Sequence, residues 1–384
     1  MSQSTSVRPG EREREREHDE YVVRPYESRD AEDVRRLYET VWGNEPDDDW
    51  LTYKFETSPY LDGTPMLVAE TDGDVVGARP AVPVPMRAGL CDLTAVYLVS
   101  LMVHPDHRRR GLFTRMMARG LERYAEAGAS VCFNFGNESS APGYRQLGFE
   151  TLGTGPHHHV RVQRPGPFVE ARVPSPVGRL AAPVANAATR AYRRARRPGR
   201  PGASRWTVER RTGVAADQLA RLYDPRSTRT VHTRREPTFY RWLDANPNWE
   251  YVTYRATDCG ETRAALLVKR RPGEERADPT IVDAVPRVSA ATRPAFEALL
   301  REVLVDHRDA ATVSVKGLYQ HERLFPDDLL SRFGFHSTRH PVLSRVTADE
   351  YTVFVRPLDG AGERIVHETG VDLLNSSDWR VRTH

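Results

Sequence analysis

Apolar positions along the chain follow two rhythms, and the places where one gives way to the other predict its elements. From Val96 to Val103 the run is nearly continuous and β-branched, which predicts a buried strand. His104-Pro105-Asp106 then reads as a turn, because proline removes a backbone donor and stops the strand. Beyond it Leu112, Met116, Met117, Leu121 and Tyr124 recur at helical spacing, so a helix opens between Arg108 and Phe113. Ser130 to Phe135 is a second apolar strand. Upstream, Tyr21 to Tyr26 predicts a first strand. Ser28 is the expected cap of a helix to about Trp42, with Val34, Leu37, Tyr38 and Val41 on its apolar face. Trp50 to Glu56 predicts a second helix behind the acidic Asp47-Asp48-Asp49. Met66 to Glu70 and Val75 to Met86 form a strand pair around Thr71-Asp72-Gly73-Asp74. Pro80, Pro83 and Pro85 argue for an edge or a bulge in its second arm.

The rhythm fails in two places. Met1 to Glu20, with its Glu-Arg alternation, holds almost no apolar residue and reads as a disordered tail. Arg164 to Arg205 is rich in Pro, Gly and Arg and reads as a linker with one exposed basic helix near Val177 to Arg197. The run Arg193-Arg194-Ala195-Arg196-Arg197 could meet nucleic acid or an anionic surface, but without interleaved aromatics a solvated linker is the simpler expectation. These breaks divide the 384 residues into a tail (1–19), a first domain (20–163), a linker (164–205) and a second domain with a tail (206–384).

Net charge is +3, so no global basic field favours nucleic acid. No apolar run is long enough for a bilayer, and no signal-peptide core is present, so a cytoplasmic protein is expected. Cys91, Cys132 and Cys259 stand apart, with no spacing that suggests a disulfide framework or a metal site. His157-His158-His159 resembles a metal cluster only superficially, since neighbours on a strand face opposite ways. No metal is expected.

The chemistry concentrates in the turn after the central strand. The first N–H groups of a helix lack internal partners and sit at the positive end of its dipole. Gly111 lets an anion approach the backbone, and Arg108, Arg109 and Arg110 add charge. Phosphate or pyrophosphate suits such a place.

Arg108-x-x-Gly111-x-Phe113 after this strand, Asn137 after the next one, and Tyr144-Arg-Gln-Leu-Gly-Phe149 just beyond resemble the motifs of the GCN5-related N-acetyltransferase (GNAT) superfamily. The resemblance covers Glu20 to about Gln163. Phe113 departs from the small residue usual at its place. The resemblance implies an α/β fold, with a mixed, mostly antiparallel sheet flanked by helices. It implies acetyl-CoA as co-substrate. Backbone groups at Leu101, Met102 and Val103 would bond the pantetheine, and the N–H groups from Arg109 and Arg110 through Gly111, Leu112 and Phe113 would hold the pyrophosphate, with Arg108 adding charge. Asn137 would bond the pantetheine or cap the next helix. Tyr144 would give a proton to the departing thiolate, or merely pack there. Glu138 is the best carboxylate for the general base, since Tyr97 and Ser100 on the central strand are not ready bases. The Asp47–Asp49 run could greet a cationic amine, although capping a helix is the plainer role.

From Trp206 the pattern starts again. Arg221-Leu-Tyr-Asp224 echoes Arg36-Leu-Tyr-Glu39, and Phe333-Gly-Phe335 echoes Leu147-Gly-Phe149. Strands at 251–257, 262–269, 280–285 and 311–315 and helices at 215–224, 239–243 and 294–304 follow the order of the first half. The turn after Pro286 contains no glycine, so a second, degenerate GNAT-like domain without a cofactor site is expected. Active and inactive units in tandem resemble the Eis-type acetyltransferases, without their third domain. The tail, with a strand at Tyr351 to Arg356, is a lid or an edge strand.

The expectation is therefore an N-acetyltransferase that moves the acetyl group of acetyl-CoA to a primary amine of a small molecule or peptide. Transfer would be direct, in a ternary complex. A non-catalytic acyl-CoA-binding protein and a transferase of longer acyl groups are the alternatives. Membrane and nucleic acid are not expected partners, and association of like chains stays open.

Overall fold

The computed structural model describes residues 21–43, 48–155, 157–173, 176–195, 205–226, 229–273, 278–318, 322–341 and 351–380. The charged tail, Asp47 and the Arg196-Arg197 end of the basic run lie outside these residues.

In chain order the first elements are β1 (Val22–Pro25), α1 (Ala31–Trp42), α2 (Asp48–Phe55), β2 (Met66–Thr71), β3 (Asp74–Ala88), β4 (Cys91–Leu98), β5 (Met102–Val103), α3 (Leu112–Glu126), β6 (Val131–Gly136), α4 (Ala141–Gln146) and β7 (Glu150–Thr154). They are followed by β8 (His159–Val162), α5 (Gly166–Arg172), α6 (Val177–Ala195), β9 (Thr207–Thr212), α7 (Ala216–Leu222), β10 (His232–Thr233) and α8 (Pro237–Asp244). The chain continues with β11 (Glu250–Asp258), β12 (Glu261–Arg270), β13 (Thr280–Val285), α9 (Arg293–Asp306), β14 (Thr312–Val315), α10 (Asp327–Arg332), β15 (His336–Ser337), β16 (Thr352–Pro357) and α11 (Ala361–Thr369).

Two compact units result. The first holds residues up to Val84, Leu93–Thr151 and Thr352–Arg364. Its sheet runs β1-β2-β3-β4-β6-β16-β7, with β5 also on β3. The β1–β2 and β2–β3 pairs are antiparallel and β4–β6 is parallel, which makes the sheet mixed. Met117, Leu121 and Tyr124 of α3 pack with Val96, Leu98, Cys132 and Phe354, while Leu112 and Met116 pack with Tyr21 and Val76. The helical spacing read from the sequence thus marks a buried face.

Four local expectations change. The central strand is not continuous: β4 ends at Leu98, Ser100 takes φ 47°, and pairing with β3 resumes at Met102. Ser28 is not the cap of the first helix. Glu27 and Asp30 form a reciprocal capping box around a short 3-10 turn, because a carboxylate at each end reaches the other's backbone N–H. β3 is one continuous strand inside the sheet, and its bulge lies away from the prolines, at Val76, where the register with β2 shifts between Ala69 and Glu70. Its pairing with β2 ends at Met66 opposite Pro80, so Pro83 and Pro85 lie past the end of β2, where a missing donor costs no bond to it. The tail is neither lid nor edge strand: β16 lies inside the first unit's sheet, antiparallel to β6, with Val353, Phe354 and Val355 buried.

The second unit holds Pro85–Asp92, Leu152–Tyr351 and the residues from Ile365. Its sheet runs β15-β8-β14-β13-β12-β11-β9. β11, β12 and β13 pair antiparallel, and β13 runs parallel to β14. One core joins Tyr254, Leu266, Ile281, Phe296, Leu299, Phe325 and Phe335. Two helices, not one, follow β8, joined by Asn186 Oδ1 accepting from the Gly166 N–H at 2.8 Å. Among the described residues no helix is long and apolar enough to cross a membrane.

Candidate active site

In the first unit the strands beside the phosphate turn part company. β4 and β6 are registered at Ala95 with Val131, Val96 with Cys132 and Tyr97 with Phe133, and there the register ends. The chain after Leu98 swings onto β3. The Val99 N–H donates to Pro80 O (3.3 Å), Met102 and Val103 face Ala78 and Gly77, and the His104 N–H donates to Val76 O (2.9 Å). On the other side Asn134, Phe135 and Gly136 of β6 are paired with Phe354, Val353 and Thr352 of β16. A wedge therefore opens between residues 99–103 and 134–136.

At its end the chain turns into α3. His104 Nδ1 accepts from the Asp106 N–H at 3.3 Å. Arg108 Nε donates to Val103 O at 3.2 Å, which ties the arginine triplet to the strand end. Arg109 and Gly111 both take left-handed backbone angles, φ 66° and 74°. A non-glycine residue there is strained, and such residues cluster at ligand clamps. A Cβ on Gly111 would meet nothing within 4 Å, so its backbone faces open space. The Arg110 guanidinium lies 5.8 Å from the Tyr21 ring, and the Tyr21 hydroxyl bonds His107 Nδ1 at 3.0 Å. Leu101 to Val103 and Arg108 to Phe113 are thus brought together along one strand end and one helix start.

Tyr144 lies on α4, 2% exposed. Its ring stacks on Phe354 (5.2 Å, 18°) and meets Phe113 and Phe149 edge-on at 5.6 and 5.2 Å. Its hydroxyl accepts from Asn134 Nδ2 and from Arg79 Nη2, the latter at 3.3 Å. The bulk of Phe113 is accommodated by Gly143, where a Cβ would stand 2.5 Å from Phe113 Cε1.

Asn137 is exposed, and its Oδ1 accepts from the Ser140 N–H at 3.1 Å, closing the turn ahead of α4. Glu138 is exposed in the same turn. Cys132 is fully buried on β6, and burial pushes its thiol up to about 12. Lys54 Nζ donates to Ser100 Oγ at 3.3 Å beside the strand break, and burial pulls its ammonium down to about 8.

Sequence reasoning missed Arg79, Asn134, Lys54 and Phe354. Arg79 had a signal: it is the one charge between Val75 and Met86, where a strand buried on both sides has no evident use for it. Lys54 had another, as one of three lysines (with Lys269 and Lys316) among 56 basic residues. Phe354 had none, because its partner is far away in sequence.

Residues 22–152 match the family of acetyltransferase (GNAT) domains. Solved structures similar to this chain include a GCN5-related N-acetyltransferase from Anabaena variabilis, with TM-score 0.58 and 11% identity over 94% of this chain and 81% of that one. Another, from Kribbella flavida, gives 0.55 and 16% over 89% and 72%. A tandem GNAT protein from the clavulanic acid biosynthesis pathway gives 0.51 and 14% over 88% and 98%. At such identities the likeness shows the fold alone, which is that of two GNAT-like domains in tandem. No curated protein sequence matches the chain.

Proposed function

With residues 22–152 forming a GNAT acetyltransferase domain, we propose that the protein transfers the acetyl group of acetyl-CoA to a primary amine of a small molecule or peptide. The family implies acyl transfer from acyl-CoA; the acetyl group and the amine acceptor are this proposal's own. The observation that carries it is the wedge between residues 99–103 and 134–136, which leads directly to a glycine-opened helix start.

The groups present suit the co-substrate. The N–H groups from Arg109 to Phe113 lie where the α3 dipole favours an anion, and the space around Gly111 admits a diphosphate. Arg108 supplies charge while bound to the strand end. The backbone of Leu101, Met102 and Val103 offers the wedge a polar edge for amide groups, and Asn137 stands at the far side. When bound, acyl-CoA supplies the electrophilic thioester carbon. Tyr144 donates its proton to the sulfur that leaves, and Glu138 takes up the proton that the amine releases. Cys132 is no rival nucleophile, since its thiol is buried and held protonated, which favours direct transfer over a covalent enzyme intermediate. The second unit takes no part in binding acyl-CoA. Isolated free cysteines suit the cytoplasm.

Calorimetry with coenzyme A, followed by free-thiol detection with acetyl-CoA and an amine panel, tests the reading. Uptake of coenzyme A with amine-dependent thiol release supports it. Uptake without release for any amine makes the protein an acyl-CoA binder instead. Faster release from longer acyl-CoAs moves the donor assignment. No uptake of coenzyme A ends the proposal.

A further inference from the structure

Arg79 is 1% exposed, among the largest fully buried side chains of the chain. Its Nε donates to Met117 Sδ at 2.9 Å, Nη1 to Val99 O at 3.0 Å and Nη2 to the Tyr144 hydroxyl at 3.3 Å. A thioether, a carbonyl and a phenol are all neutral. Among the described residues no carboxylate lies within ion-pair distance of it. Arg24 shows the contrast, since it pairs with both Asp30 and Glu70. An ionised group buried without a counter-charge is costly, and proteins rarely hold one unless something else requires it. Hydrophobic packing cannot be that requirement, because Arg79 sits in a strand whose neighbours Ala78, Ala81, Val82 and Val84 are apolar and buried. A methionine would pack there without charge.

The orientation around Tyr144 narrows the role. Arg79 Nη2 and Asn134 Nδ2 are both pure donors, so the Tyr144 oxygen accepts twice. With both lone pairs engaged, the phenolic proton is directed away from both donors. A tyrosine held so is set to donate. The charge of Arg79 also reaches Tyr124 and Cys132, where it counters the rise that burial imposes. Its charge therefore offsets part of what burial costs a neighbouring anion, and acyl transfer creates a negative charge on sulfur.

We propose that Arg79 is a positioning residue for thiol departure, a buried cation kept without an anion so that it can balance the charge released when the acyl–sulfur bond breaks. This rests on the reading of Tyr144 as the proton donor. In the step, the amine nitrogen bonds the acyl carbon, the carbon–sulfur bond breaks and its electron pair goes to sulfur. The Tyr144 proton follows to sulfur, Glu138 takes the proton lost by the amine, and the phenolate regains a proton from solvent before the next turnover. Arg79 gives up nothing. It fixes the Tyr144 hydroxyl and stabilises the transient negative charge.

The test compares wild type with Arg79→Met, Arg79→Lys and Tyr144→Phe. Three quantities are read: melting temperature without ligand, the pH at which the thiol of bound coenzyme A ionises (by its ultraviolet absorbance), and thiol release from acetyl-CoA. Arg79→Met is expected to melt at the same or a higher temperature, because an unpaired buried charge is removed. Bound coenzyme A should ionise at lower pH than the free thiol in wild type, and lose that advantage in Arg79→Met. Thiol release should fall about a hundredfold, with Arg79→Lys between the two. A lower melting temperature in Arg79→Met with thiol ionisation unmoved, or, where Arg79→Met does not fold, the same pair of results in Arg79→Lys, makes Arg79 a structural residue and overturns the proposal. If wild type takes up coenzyme A and Tyr144→Phe loses activity while Arg79→Met does not, only the Arg79 role falls. If wild type takes up no coenzyme A, the acyltransferase reading falls, and this inference with it.

Discussion

In the first unit β4 and β6 stay registered to Tyr97 and Phe133 and then separate; in the second, β13 and β14 are registered at Thr280–Ser314 and Ile281–Val315 and then separate as well. Each split has a buried arginine beside it. In the first that arginine is Arg79, with three neutral partners. In the second it is Arg235, whose Nε and Nη2 hold Asp283 at 2.8–3.1 Å and whose Nη2 also meets Glu322. Tyr240 donates to Asp283 Oδ2 at 2.6 Å, and Glu322 Oε1 accepts from the Thr233 N–H at 2.6 Å. Burial works against the Arg235 charge, yet the two carboxylates hold its pKa well above the usual value. Burial would raise Glu322, but Arg235, Arg380 and His232 pull it down to about 2. The second split is filled by a closed ionic network. The first is left with a charge unanswered. The same strand geometry thus serves two ends: complete pairing makes a stable wall, and an incomplete one leaves a field for a ligand to use.

The largest effect should come from opening the closed network. Glu322→Ala leaves Arg235 half paired and the Thr233 N–H without its acceptor. About 3–5 kcal/mol of stability should be lost in urea unfolding followed by tryptophan fluorescence, to which the buried Trp242 and Trp379 of this unit contribute. A loss no larger than that for Arg79→Met would erase the contrast between the two arginines.

Acid gives the next effect. His232 bonds Tyr223 and the Thr230 carbonyl through its two ring nitrogens, and burial lowers it to about 4. The unfolded chain binds that proton more readily, near pH 6.5. Its contribution is therefore complete above pH 6.5 and is lost as pH falls toward 4, by up to about 3 kcal/mol. His158, lowered to about 4 by burial with Lys316 and His157 adding, acts in the same window. Glu322 extends the loss below pH 4.5. His232→Gln should flatten the part between pH 6.5 and 4. An unchanged slope would mean that His232 does not carry this loss.

The smallest effect tests the open side. Gly111→Ala meets no neighbour, so only its left-handed backbone resists, at about 1 kcal/mol in thermal unfolding. Its affinity for coenzyme A should fall about tenfold in calorimetry, since a methyl group would stand where the diphosphate approaches. Equal affinity would move the anion elsewhere.

Much of the site was legible because it is local. A strand, a proline turn, an arginine triplet and a glycine follow one another between Val96 and Gly111, and short-range sterics decide how they fold. The Tyr144 motif was legible for the same reason. The break at Ser100 was not, since one continuous apolar strand and two short ones have the same composition. Nor could the sequence say that Phe113 fits because Gly143 yields space, or that Asn137 spends its side chain on a turn.

By itself, then, the sequence determined the order of elements, the repeated α/β pattern and the glycine-opened start of α3, all governed by hydrophobic period and backbone freedom over short stretches. The tertiary structure alone decided that β16 joins β6, that Phe354 lies against Tyr144, and that one buried arginine has two carboxylates while the other has none. Those outcomes depend on a separation of 65 residues in the Arg79–Tyr144 pair and of 48 and 87 in the Arg235 pairs. No local pattern records which distant side chains will share a low-dielectric interior, and it is there that a charge is either neutralised or kept available.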